Sequence, residues 1–207
     1  VRESGASLSG MTINGDLIIA DSADKASLDS VTVTGRIVIR GGADAVSIKD
    51  SKAGKGVLVS SPNGAAAISV SGGSVGTVTA KSDLAVTGGG VDKVVLESGA
   101  SLAVSKGASV GSVAVSDSGS RVSGEGTVTA VQANASSVTV STKNTKVTAA
   151  SGVSGVKAGD KTVEAGKTET VGTASSSGGS SSGGSSSSRS DYSYVLMNIP
   201  YGEFYKA

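Results

Sequence analysis

Five aspartates near the N-terminus, Asp16, Asp21, Asp24, Asp29 and Asp44, share one stretch of chain with Arg36 and Arg40. Clustered carboxylates hold hard cations such as calcium through oxygen. No imidazole or thiol accompanies them, because the 207 residues contain no His and no Cys. That removes nucleophile systems that need an imidazole base, and most zinc, copper and haem ligation. No cofactor is expected. Other fragments of reactive motifs are present. Ser22-Ala23-Asp24-Lys25 and Ser154-Gly155-Val156-Lys157 have the Ser-x-x-Lys spacing of serine acyl transfer. That chemistry needs the serine at a helix start with the lysine one turn on, and partner motifs later in the chain. Both stretches are instead Gly- and Val-rich and β-like, so they read as chance matches in a Ser-rich chain. Gly124-Glu125-Gly126 lacks the rest of a dinucleotide fingerprint, and Ala53-Gly54-Lys55-Gly56 lacks the hydroxyl residue of a phosphate loop. Both read as corners. Asn134-Ala135-Ser136 has the spacing of a glycosylation acceptor and reads as a turn.

What positions these residues is a repeat. Met11 to Ala20 aligns on Val31 to Arg40 at an offset of twenty (31 − 11), with every apolar residue from Met11 to Ile19 on an apolar one and Gly15 on Gly35. The register carries Ala26 onto Val46 and Leu28 onto Ile48. Val57-Leu58-Val59 and, more weakly, Thr77-Val78-Thr79 continue the first series, and Val94 to Leu96 and Val113 to Val115 extend it. A second series runs through Leu28, Ile48, Ile68, Leu84, Leu102 and Val138. The runs alternate with a period of two, so each repeat carries at least two short strands. Gly, Ser, Asp and Asn clusters such as Gly88-Gly89-Gly90 separate them as corners. Runs this short do not suit a sandwich, and Asn-Gly turns do not recur between successive runs. The pattern predicts an all-β, single-stranded parallel β-helix of about eight rungs of roughly 17–21 residues, on the order of 40 Å long. No sustained six-residue register is present, so right-handed winding is expected.

Composition agrees. Aromatic content is 2%, with no Trp, and the core must come from Val, Ile, Leu and Ala. Such branched, compact side chains stack on themselves between rungs. The net charge of +1 argues against nucleic acid or an anionic membrane as the main partner. No apolar run is long enough for a membrane span. The solenoid is expected over 1–172, with a polar final rung or cap from Ser141 onward. Residues 173–190 read as a flexible Ser/Gly linker. Residues 191–207 hold every aromatic of the chain and read as the start of a further domain or a docking segment.

Stacking also places charges. A twenty-residue offset sets Asp16 beside Arg36 and Asp29 beside Lys49, two cross-rung pairs of opposite sign. It sets Asp24 beside Asp44, a like-charged pair that either stands in solvent or shares a calcium ion; the solvated reading is preferred.

The stretch from Gly15 to Ile19, followed by Val31 to Gly42, resembles the parallel β-helix repeats of Gram-positive bacterial surface and secreted proteins. Those repeats sit beside wall-anchoring domains and are similar to the pectin-lyase-like β-helix. The resemblance covers about residues 5 to 140. Tyr194 to Tyr205 also resembles the opening of a larger domain in secreted Firmicutes proteins. The resemblance implies a secreted or cell-surface location, and a cell-wall glycan, host glycan or surface protein as partner. Two functions follow as expectations. One is a non-enzymatic extracellular scaffold, stalk or adhesin segment. The other is a polysaccharide-binding or calcium-dependent lyase-like β-helix, with Asp24 and Asp44 as the cation candidates. The absence of any aromatic ring in the repeats for a sugar to stack on favours the scaffold.

Overall fold

The computed structural model describes residues 1–172; the tether expected at 173–190 and the segment 191–207 lie outside the described residues. The described residues contain strands, turns and bends, with no helix. Strands form where the period-two runs predict them, and up to Ala66–Ser71 none is paired with its sequence neighbour. Each pairs in parallel with its counterpart one coil later, which makes a β-solenoid of about eight coils.

Two faces run its whole length. The first is built from Ala6–Ser9, Lys25–Asp29, Ala45–Lys49 and Ala66–Ser71, and continues to Val156–Ala158. The second is built from Leu17–Ile19, Ile37–Ile39, Val57–Val59 and Thr77–Ala80, and continues to Lys146–Ala149. A third, short face runs through the first three coils, as Thr12–Ile13, Thr32–Val33 and Lys52–Ala53, and ends on the fourth in a single bridge from Lys52 to Ser74. Alternation points every second side chain inward, and parallel register turns those positions into columns. One column on the second face runs Leu17, Ile37, Val57, Val78, Val94, Val113, Val131, Val147, and all eight are buried. Its neighbour starts Ile19, Ile39, Val59, Ala80, Leu96. Each buried Val, Leu or Ile contributes about 1.5–3 kcal/mol relative to exposure, so the columns supply the stability that aromatics supply elsewhere.

The repeat is less uniform than its first coils. Ser47 pairs with Ser69, an offset of 22 (69 − 47), because residues 60–65 insert a loop between the faces. Thr77 pairs with Lys93, an offset of 16 (93 − 77), because the third face has dropped out. The range therefore exceeds the expected 17–21. The glycines at 88–90, expected as a corner loop, instead bend one continuous strand, Leu84–Leu96, from the first face onto the second. Gly89 has φ +69°, and a Cβ there would land on the carbonyl oxygen of Val70.

Another corner repeats a left-handed residue in four successive coils: Gly10 at φ 62°, Ser30 at 57°, Asp50 at 47° and Gly72 at 66°. The ladder continues through it, with the N–H groups of Gly10, Ser30 and Asp50 donating to the carbonyls of Asp29, Lys49 and Ser71 at 2.8–3.0 Å. Keeping those bonds fixes the turn even where the residue is not glycine.

The C-terminal end is closed by reversing direction. Parallel pairing persists through Lys146–Ala149 and Val156–Ala158, later than the loosening at Ser141 suggests. Then Lys161–Val163 pairs antiparallel to Val156–Ala158, and Thr168–Thr170 pairs antiparallel to Lys146–Ala149. Val163 and Val171 seal the last inner columns. Beneath them Thr145 donates its hydroxyl to the Val128 carbonyl at 2.9 Å and bonds Thr142 at 2.8 Å, so both buried hydroxyls are satisfied.

The Gly89 bend gives a direct test. Gly89→Ala meets backbone and a left-handed φ together, and is expected to cost more than about 2 kcal/mol in urea unfolding. Gly107→Ala, at φ +85° with nothing within 4 Å of the added carbon, is expected to cost about 1 kcal/mol. Equal losses would show that the bend is not held by the approach to Val70.

Candidate functional site

The acidic residues that suggest chemistry are distributed along the coils and turned to their neighbours. Asp29 and Lys49 face outward on adjacent strands of the first face, and their side chains meet at 3.0 Å as the register predicts. The Lys49 ammonium, donating a hydrogen bond, holds the Asp29 carboxyl below its usual range, and the Ser30 hydroxyl at 2.8 Å adds to this. The same bond raises Lys49. Both side chains remain open to solvent, so the contact orders a surface and adds little to stability.

Asp16 and Arg36 are also neighbours, but not as an ion pair. The Asp16 Oδ1 accepts the backbone N–H of Arg36 at 2.8 Å, and the guanidinium forms no ion pair among the described residues. A short side chain at a corner reaches the next coil's backbone more readily than a long, solvated cation. The same device recurs. Asp83 Oδ1 accepts from the Ser101 N–H at 2.8 Å, and Asp117 Oδ2 from the Ser98 N–H at 2.6 Å. Ser51 does the equivalent inside, accepting from the Val31 N–H at 3.0 Å while donating to the Lys49 carbonyl at 2.8 Å. These polar groups cap amides that the corners leave without strand partners.

Asp24 and Asp44 occupy consecutive coils, with the Asp44 N–H on the Asp24 carbonyl at 2.9 Å, and both are exposed. Among the described residues no three His, Cys, Asp or Glu side chains group together. A calcium ion takes six to eight oxygens, and the two aspartates present only a fraction of that set. Ser22 and Lys25 lie on a turn and the following strand, and Ser154 and Lys157 likewise, so neither Ser-x-x-Lys match has its helix. Ser22 donates to the Arg2 carbonyl at 2.6 Å.

A feature that sequence reasoning missed lies on the outside of the second face. Its central residues form an outward column: Ile18, Val38, Leu58, Thr79, Val95, Ala114, Gln132, Thr148. The first three are aliphatic, and Ile18 is 51% exposed. On the first face the corresponding column begins Ser7, Ser27, Ser47, Ser69. The signal was present in the sequence. Leu17-Ile18-Ile19, Ile37-Val38-Ile39 and Val57-Leu58-Val59 are unbroken apolar triplets, the pattern of strands covered on both faces. Beside the last of them a groove of about 440 Å³ is lined by Leu58, Arg36, Lys55, Thr79, Lys81 and Glu97. Lys81 and Glu97 pair at 3.7 Å. Arg36 and Lys55 form no ion pair among the described residues, so the groove carries excess positive charge; Arg40 lines a separate depression beside Ile18.

Comparison with protein-family models, curated proteins and solved structures gives no match.

The Asp29–Lys49 contact has a defined pH signature. A depressed Asp29 contributes to stability above the unfolded-state value, and the contribution is lost as pH falls through the folded-state value. A raised Lys49 contributes below its unfolded-state value and loses that contribution as pH rises through the folded one. Carboxyl NMR titration of Asp29 is expected to show a midpoint below that of ordinary aspartate. Lys49→Met should return it upward, with the remaining depression due to Ser30. An unchanged midpoint in Lys49→Met would remove the pair.

Proposed function

We propose that residues 1–172 form a non-enzymatic extracellular spacer, an adhesin-type stalk in a bacterial surface protein. The observation that carries this reading is how the polar side chains are used. Asp16, Asp83, Asp117 and Ser51 cap amides of adjacent coils, and Asp29 pairs with Lys49. Of the clustered aspartates, Asp16 and Asp29 are engaged in joining one coil to the next. Each added coil lengthens the rod by about 4.8 Å without changing its section, which is what a spacer requires.

The outward aliphatic column and its cations support a protein partner more than a sugar. Saccharides bind by stacking on aromatic rings, and every aromatic of the chain lies between Tyr192 and Tyr205. An aliphatic stripe that is exposed at Ile18 and half-buried at Val38 and Leu58, beside Arg36, Arg40 and Lys55, suits an acidic protein surface.

The second reading, calcium-assisted polysaccharide binding or cleavage, has the adjacency of Asp24 and Asp44 in its favour. One experiment separates the two. The whole chain is incubated with plant and host polysaccharides, with and without calcium, and followed by thermal shift and by assay for unsaturated sugar products. The spacer reading expects no product and no calcium-dependent rise in melting temperature. Sugar cleavage, or a calcium-dependent rise abolished by Asp24→Ala with Asp44→Ala, would overturn it.

A further inference from the structure

The chain contains two Asn-Gly steps, Asn14-Gly15 and Asn63-Gly64. At such a step the glycine nitrogen attacks the asparagine side-chain carbonyl carbon, because no Cβ on the following residue hinders the approach. The new N–C bond closes a five-membered imide as the C–N bond to the side-chain nitrogen breaks. That nitrogen leaves as ammonia, carrying the proton given up by the glycine amide. Water then opens the imide at either carbonyl, giving aspartate or isoaspartate. Water is the only co-reactant.

The fold treats the two steps oppositely. The Gly15 N–H donates to the Thr34 hydroxyl on the next coil at 2.9 Å. Its carbonyl accepts from the Gly35 N–H at 2.9 Å, and Thr34 in turn donates to the Ile13 carbonyl at 3.4 Å. The nucleophilic nitrogen is therefore engaged, and the backbone around it is clamped between coils. Asn63 and Gly64 sit in the inserted loop of residues 60–65, both exposed. Among the described residues no acceptor takes the Gly64 N–H. The Asn63 amide has a single tie, Nδ2 to the Asp21 carbonyl at 3.5 Å, the outer limit of a hydrogen bond.

We propose that Asn63 is a self-modification site, converting to aspartate and isoaspartate, and that the cross-coil bond from Gly15 to Thr34 shields Asn14. The loop lies outside the stacked strands, so the extra backbone atom of isoaspartate does not enter the ladder. Conversion places a new carboxylate beside Asp21 while the coils stay intact.

The test is incubation of the whole chain in mildly alkaline buffer, with peptide mass mapping and isoaspartate assay at both steps over time. In the folded protein Asn63 is expected to convert at least about tenfold faster than Asn14, the rate equivalent of keeping one hydrogen bond. In urea the two rates should converge. Thr34→Val, checked by its melting curve for intact folding, should raise the Asn14 rate and leave Asn63 unchanged. Asn63→Gln should abolish conversion at 63. Equal rates in the folded chain, faster conversion of Asn14, or the same disparity in urea would each overturn the proposal. A Thr34→Val protein that is folded yet shows no gain at Asn14 would remove the shielding.

Discussion

The structure depends on one constraint: apart from single turn bonds at corners, such as Ala23 N–H to the Ala20 carbonyl, the strand backbone of a coil finds its partners on the coils above and below. No helix among the described residues satisfies them locally, and antiparallel pairing occurs only at the C-terminal closure. Unpaired buried amides are expensive, so each coil must follow the path of its predecessor. Left-handed φ at Ser30 and Asp50 follows from this, since the alternative is a broken ladder. So does the aliphatic core, because side chains must stack on near-identical neighbours about 4.8 Å away. The reversed strands at the C-terminal end are the same requirement met at a boundary.

That constraint also explains what the sequence revealed. The twenty-residue offset was legible because columns demand like residues, and Leu17, Ile37 and Val57 fall on one of them. The Asp29–Lys49 pair was legible because both sit within paired strands, where the register alone places them. Asp16 and Arg36 were placed correctly as neighbours, but their contact was not legible. It depends on a corner amide that is invisible to a reading of side-chain charge. The later offsets of 16 and 22 were missed because Gly and Ser corners carry no columnar signature. Gly88 to Gly90 looks like a loop in sequence, and only the position of Val70 shows why a strand bends there instead. The outward column of Ile18, Val38 and Leu58 was written plainly in apolar triplets, but attention to inward alternation hid it.

The same economy bears on function. A fold that uses its carboxylates and hydroxyls as cross-coil caps has fewer of them to present to a substrate. What it presents instead is a surface whose two main faces differ over the first coils: hydroxyl-rich at Ser7, Ser27, Ser47 and Ser69, aliphatic at Ile18, Val38 and Leu58 with Arg36 and Lys55 nearby. The difference has no counterpart in the core, where both faces are aliphatic.

The most direct measurement of the account is pairwise cysteine cross-linking, which the absence of native cysteines makes clean. Paired outward residues lie within the Cα separation that a disulfide spans. The account predicts that Ser27→Cys with Ser47→Cys, Ser47→Cys with Ser69→Cys, and Ala85→Cys with Ala103→Cys all close within one molecule, at offsets of 20, 22 and 18 (47 − 27, 69 − 47, 103 − 85). If Ser47→Cys instead closed with Ala67→Cys, the partner required by a uniform repeat, or if no pair closed, the stacked register would be contradicted.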